Sequence, residues 1–112
     1  MTESARLRAT RRLYEAFAAG DRAAAEALLA DDLTFSSPPD PRLDRAGYFA
    51  RCWPHAGNGE AFDFTRLIEA GDAVVVTYEA TRPDGTRYRN TEVLTFAGEC
   101  VARIEVYFGW EL

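Results

Sequence analysis

Apolar and polar positions follow two rhythms along this chain, a helical one as far as Cys52 and a two-residue one from Ala61 onward. Between Ser4 and Ala19, Leu7, Leu13, Tyr14, Phe17 and Ala18 fall on one helical stripe. Arg6, Arg8, Arg11, Arg12 and Glu15 fill much of the remaining circumference as a solvated face. Gly20 supplies a stop, and Asp21 can cap a second helix through the Ala-rich stretch Ala23–Ala30. Leu33–Ser36 alternates as a short strand before Ser37-Pro-Pro-Asp-Pro forces irregular backbone. Asp44 then caps a third helix, Arg45–Cys52, which Pro54 terminates, and the segment from His55 to Glu60 reads as a loop.

Beyond that loop the chain predicts strands at Ala61–Ala70, Ala73–Thr81, Thr86–Phe96 and Val101–Gly109, separated by Ala70-Gly-Asp, Pro83-Asp-Gly and Ala97-Gly-Glu. Connections this short allow only antiparallel neighbours, since a parallel crossover takes about a dozen residues or more. Helices first and strands last make an α+β domain, with helices packed on one face of the sheet. The last strand is expected at or near its centre. No repeat, linker or low-complexity segment interrupts residues 1–112, which read as one domain.

Alternation also says which side chains share a face. Val74, Val76, Tyr78 and Ala80 lie together, as do Tyr88, Asn90, Glu92, Leu94 and Phe96, and as do Ala102, Ile104, Val106 and Phe108. If these faces meet the helices, Glu92 and Asn90 go with them to the covered side. A carboxylate among Phe, Leu and Tyr is costly unless paired or protonated. It is either a general acid or base with a raised pKa, or a structural Glu tied to Arg66, Arg89, Asn90 or a tyrosine hydroxyl. Tyr14, Tyr78 and Trp53 are either core or cavity wall.

Composition narrows the partners. The chain is 47% hydrophobic and 28% charged, with a formal net charge of −5 and its arginines scattered among acids. A nucleic-acid or anionic-membrane binder needs a basic face, so neither partner is expected. No apolar run approaches the roughly 20 residues of a membrane span, and no signal-peptide hydrophobic region follows Met1, which makes the cytoplasm the expected location. Cys52 and Cys100 match no metal-ligand spacing, so no metal site is expected and both read as free thiols. Pro54 separates Cys52 from His55, the lone histidine, and breaks the helical geometry that would pair them.

Four segments carry a resemblance over nearly the whole chain: Tyr14-Glu-Ala-Phe-Ala-Ala-Gly-Asp, Leu28-Leu-Ala-Asp-Asp-Leu-Thr-Phe-Ser-Ser-Pro-Pro, Asn90-Thr-Glu-Val-Leu-Thr-Phe and Ile104-Glu-Val-Tyr-Phe-Gly-Trp. The chain resembles the NTF2-like superfamily, in the branch of the ketosteroid isomerases and SnoaL-like polyketide cyclases. The resemblance implies a cone in which three N-terminal helices pack on a curved, mostly antiparallel sheet and enclose a pocket. Glu92 falls where the isomerases place a protonated Asp that holds the dienolate oxyanion, and where many cyclases place an acid/base Asp. The isomerase base falls on Ser37, which cannot abstract a carbon-bound proton at neutral pH. The oxyanion tyrosine falls on Leu13, with Tyr14 about 100° further round the helix. The Arg-x-Asp pair of the epoxide-hydrolase branch is replaced by Asn90-x-Glu92, and the apolar face of the last strand carries no second acid.

The expectation is therefore a cofactor-independent enzyme of isomerase or cyclase type, using Glu92 as acid/base on a small hydrophobic carbonyl compound. The alternative is a non-catalytic binding module or dimeric accessory module. Tyr14, Phe35, Ser37, Trp53, Tyr78, Asn90 and Phe108 are the expected walls, and the sequence leaves open whether Asp40 or His55 reaches the pocket. The outer positions Val93, Thr95, Val101 and Tyr107 are apolar enough to suggest a homodimer through the opposite sheet face.

Overall fold

The computed structural model describes residues 3–112; Met1 and Thr2 of the domain lie outside the described residues. Helix α1 spans Ala5–Ala19, opened by the Ser4 side chain accepting from the Leu7 N–H at 3.2 Å and closed by Gly20 in the left-handed conformation. Helix α2, Arg22–Leu28, is capped by Asp21. It stops short of the expected Ala30 because Leu29 already has extended backbone, is buried and pairs with Val101. Tertiary strand pairing overrides the helix propensity of the alanines there. Strand β1 is thus longer than expected, Leu29–Ser36. The two-residue strand β2, Leu43–Asp44, leads into helix α3, Arg45–Arg51, which Asp44 caps through the Gly47 N–H at 2.7 Å. A short 3-10 turn follows at Trp53–His55.

Strands β3 (Ala61–Ala70), β4 (Ala73–Thr81), β5 (Arg87–Ala97) and β6 (Cys100–Glu111) form consecutive antiparallel pairs. The sheet order is β2-β1-β6-β5-β4-β3, so β6 lies third of six. Its one parallel pairing is β1 with β6, which makes the sheet mixed, and the edge strands β2 and β3 do not meet, so it is not closed. Inner-face residues Leu33, Phe35, Val74, Val76, Tyr78, Leu94, Phe96 and Ile104 are buried with Leu13, Tyr14, Tyr48 and Phe49 from the helices.

Register shifts reassign several faces. Between Thr95 and Phe96 the partner in β6 jumps from Arg103 to Val101, turning Val101 inward, where it is fully buried rather than on the outer face expected from alternation. Between Phe64 and Arg66 the shift sends Leu67 to the Val76 side and Ile68 outward beside Val75. A third shift lies between Tyr88 and Asn90, opposite Gly109. A Cβ on Gly109 would sit 2.2 Å from the Arg89 carbonyl oxygen, so only glycine fits, and beyond it Trp110 emerges under the Arg89 guanidinium on the outer face.

Candidate functional site

A cavity of about 580 Å³ opens between the helices and the inner face of the sheet, within the roughly 300–1,000 Å³ range of small-molecule sites. The β4–β5 and β5–β6 registers set Tyr78, Asn90 and Phe108 in one cross-strand row and Val76, Glu92 and Val106 in the next. Helix α1 crosses above them and lays both Leu13 and Tyr14 against the cavity. The loops on either side of α3 add Ser37, Asp40, Cys52 and His55 to the wall.

The centre of the wall is Glu92. The Tyr78 hydroxyl donates to its carboxylate at 2.6 Å. Asn90 donates to the Tyr78 oxygen at 3.4 Å, while its own carbonyl accepts from the Gly109 N–H at 3.3 Å. That backbone donor fixes which end of the Asn90 amide faces Tyr78, and so leaves the Tyr78 proton for Glu92. No arginine or lysine lies within ion-pair distance of Glu92 among the described residues. Arg89 pairs instead with Glu79 on the opposite face. Of the partners open to Glu92 from sequence, the structure selects a tyrosine.

Burial in this aromatic surround pushes the Glu92 carboxyl above its ordinary value, against the opposing pull of the Tyr78 and Tyr14 hydroxyls. Glu92 nevertheless keeps some accessible surface, on the cavity it lines. Tyr14 is edge-on to Phe62 and Phe64, with ring centroids at 5.4 and 5.3 Å, and tilted on Tyr78 at 5.5 Å. Its hydroxyl is buried and close enough to Glu92 to act on that carboxyl, but it makes no well-formed hydrogen bond among the described residues. An orphaned buried hydroxyl is rare in folded proteins, and here it adjoins a cavity. Burial raises Tyr14, Tyr48 and Tyr78 well above the ordinary phenol value, so all three stay neutral donors. It also lifts the Cys52 thiol to about 11, which favours the thiol over the thiolate.

Of the residues singled out from sequence, Glu92, Tyr14, Phe35, Ser37, Tyr78 and Phe108 border the cavity, Phe108 while 59% exposed. Asp40 and His55 border it too, but Asp40 is bound to Arg51 at 2.6 Å. Trp53 stands against Phe17 and Phe49 and does not reach the cavity, because the 3-10 turn directs it into the aromatic packing. Asn90 acts from behind Tyr78 and is not itself part of the wall. Sequence reasoning left out Phe62, Tyr88, Arg82 and Glu60, all of which border the cavity. Arg82 was legible: it continues the alternation of Tyr78 and Ala80 on the inner face. Among the described residues no cluster of three or more His, Cys, Asp or Glu is placed to hold a metal ion, and no helix is long and apolar enough to cross a membrane.

No curated protein matches the chain. Solved structures do. A Kribbella flavida protein provisionally described as a ketosteroid isomerase superposes with a TM-score of 0.81 at 21% identity, over 94% of this chain and 78% of that one. A Mycobacterium tuberculosis protein superposes with a TM-score of 0.80 at 16% identity, over 97% and 94%. A Sinorhizobium meliloti protein provisionally described as a polyketide cyclase gives 0.76 at 17% identity, over 89% and 94%. At these identities the likeness establishes the NTF2-like fold alone. The SnoaL-like domain family matches residues 10–104, most of the chain, and the chain belongs to that family.

Proposed function

We propose that the cavity binds a small apolar carbonyl compound and that Glu92 moves a proton on it, without a cofactor, in a reaction of isomerase or cyclase type. The observation that carries this reading is the Glu92 carboxyl at the cavity wall, unpaired with any cation among the described residues and flanked by the Tyr78 and Tyr14 hydroxyls. Burial favours the neutral form of this carboxyl, and in that form it donates a hydrogen bond to a ligand oxygen. With Tyr78 donating to one oxygen of Glu92, the acid proton is free for a ligand oxygen, and Tyr14 supplies a second donor to the same point.

The step is a tautomerisation. Glu92 gives its proton to the carbonyl oxygen, and the resulting carboxylate is held by the Tyr78 hydroxyl. It then removes a proton from the adjacent carbon, which restores neutral Glu92 and leaves an enol. Ser37 supplies no base, Asp40 is bound to Arg51 and Glu60 accepts from the Tyr88 hydroxyl, so in this reading Glu92, rather than Glu60 or His55 at the rest of the wall, performs both transfers. That economy favours a second reading as well, ligand binding without turnover.

The test is α-deuterium uptake from D2O into 2-tetralone, a bicyclic apolar ketone, followed by proton NMR. Uptake above background that falls 10²- to 10⁴-fold in Glu92→Gln supports the enzyme, that range being typical of a lost general acid or base. Saturable binding without uptake supports the binding module.

The outer sheet face is proposed as the surface covered by a second copy. Ile68, Tyr107 and Trp110 there are 50%, 54% and 62% exposed, with Val75 and Val93 between them. Light scattering at micromolar concentration that gave a monomer mass would remove this part.

A further inference from the structure

The cavity has a polar end at Glu92 and a second charged feature at its mouth. Two arginines border it, Arg51 and Arg82. Arg51 is matched by Asp40. Arg82 has no carboxylate within ion-pair distance among the described residues, and its one side-chain hydrogen bond there is to the Thr86 hydroxyl at 3.2 Å.

Arg82 is nonetheless held in place. It opens the β4–β5 turn, where its N–H donates to the Thr86 carbonyl and its carbonyl accepts from the Gly85 N–H, each at 2.9 Å. Asp84 ties the turn from within, accepting from the Thr86 N–H and hydroxyl at 2.9 and 2.7 Å. The guanidinium carbon lies 4.2 Å from the Tyr88 ring centroid. Tyr88 is in turn fixed by Glu60, which accepts from its hydroxyl at 2.8 Å. The Tyr88 ring meets Tyr78 edge-on at 6.4 Å, and Tyr78 reaches Glu92. A wall of two tyrosine rings therefore runs from the carboxyl to the guanidinium.

We propose that the ligand is an amphipathic acid, with its carbonyl at Glu92 and a carboxylate at the far end received by Arg82. The inference rests on the ligand-site reading above and adds a substrate class to it. A stacked guanidinium is a planar fork of N–H donors suited to bidentate carboxylate binding, and stacking reduces the side-chain freedom lost on binding. The chain as a whole is negative, at −5, so its general field repels an acid and the preference must be local. Glu60, which accepts from the Tyr88 hydroxyl, and Asp84 are the nearby carboxylates; both keep their charge, but neither lies within ion-pair distance of Arg82 among the described residues, so the guanidinium has N–H donors left for a ligand.

The experiment compares two ligands of nearly one shape, naphthalene-2-acetate and naphthalene-2-acetamide, titrated by calorimetry against wild type, Arg82→Gln, Arg82→Lys and Arg51→Gln. The wild type is expected to bind the acid at least tenfold more tightly than the amide. Arg82→Gln should abolish that preference and leave amide affinity within about twofold, Arg82→Lys should keep part of it, and Arg51→Gln should keep it. Equal affinity for acid and amide in the wild type overturns the assignment while leaving the cavity a ligand site. A preference that survives Arg82→Gln overturns it in the same way. If neither compound binds and 2-tetralone fails as well, this inference falls together with the reading on which it rests.

Discussion

Glu79 and Glu92 are the same residue type on adjacent strands of one sheet, and they face opposite sides. On the outer face Glu79 is bracketed by Arg87 at 2.8 Å and by Arg89, which together hold its carboxyl below the ordinary value. On the inner face Glu92 has no cation, only tyrosine hydroxyls and aromatic walls, and burial holds its carboxyl above that value. The difference teaches that the β-sheet does not set carboxylate chemistry; the side of the pleat does. A solvated face offers arginines that compensate charge, whereas the covered face offers Glu92 only neutral donors, and burial there favours its protonated form.

The widest separation between the two carboxyls is expected in turnover. Glu92→Gln should reduce ketone α-exchange by about 10²- to 10⁴-fold, whereas Glu79→Gln, changed on the opposite face, should leave it within about twofold. NMR exchange rates on the two variants check this. Equal losses would erase the distinction between the faces.

Next in size are changes that disturb the separation of the faces. Gly109→Ala places a methyl against the Arg89 carbonyl, at the shift that sends Trp110 outward. It should cost about 1–3 kcal/mol, the usual range for overpacking, read by urea denaturation. Tyr78→Phe removes the donor to Glu92 and the acceptor for Asn90 and should cost on the order of 1–3 kcal/mol, as leaving buried polar groups unsatisfied does. Tyr14→Phe deletes a hydroxyl that makes no well-formed hydrogen bond among the described residues and only approaches Glu92, so stability should change by less than about 1 kcal/mol. Ketone binding should weaken in that same variant. A Tyr14→Phe protein both less stable and unchanged in ligand affinity would make Tyr14 plain core.

Much of this was legible in the two-residue rhythm. The bounds of β3 and β4 follow from alternation and the Gly-containing turns, and the placement of Glu92 on the covered face follows from Leu94 and Phe96 beside it. Alternation has no mark for an inserted residue, however, so the shifts that reverse Val101, Ile68 and Trp110 were invisible. The parallel β1–β6 pairing was equally hidden, since nothing local in Leu29–Ser36 names a partner more than sixty residues away. Tyr14 stands apart from both cases. Two residues about 100° apart on a helix both border a cavity when the helix lies across it, as Leu13 and Tyr14 do. The angular offset between Leu13 and Tyr14 therefore does not keep Tyr14 from the cavity.

The smallest effects are the pH slopes, and they have opposite signs. A carboxyl with a raised folded pKa binds its proton more tightly when folded, so its contribution is most favourable at or below the ordinary value of 4.5 and declines as pH rises toward the folded value. The contribution of Glu79, with a lowered folded pKa, is present above the ordinary value and is lost as pH falls through the folded one. Melting temperatures should show Glu92→Gln gaining on the wild type as pH rises above 4.5. They should show Glu79→Gln falling behind as pH rises through the ordinary carboxylate range, with no difference in strong acid. Parallel slopes would mean that the two sites share one electrostatic environment.

The central claim, that Glu92 is an acid without a cation partner whose burial favours its protonated form, is tested most directly by carboxyl-carbon NMR titration of the ligand-free protein, with Glu79 as the internal reference. The account predicts a Glu92 midpoint above 4.5 and a Glu79 midpoint below it, in the same sample. A Glu92 midpoint at or below that of Glu79 would contradict it.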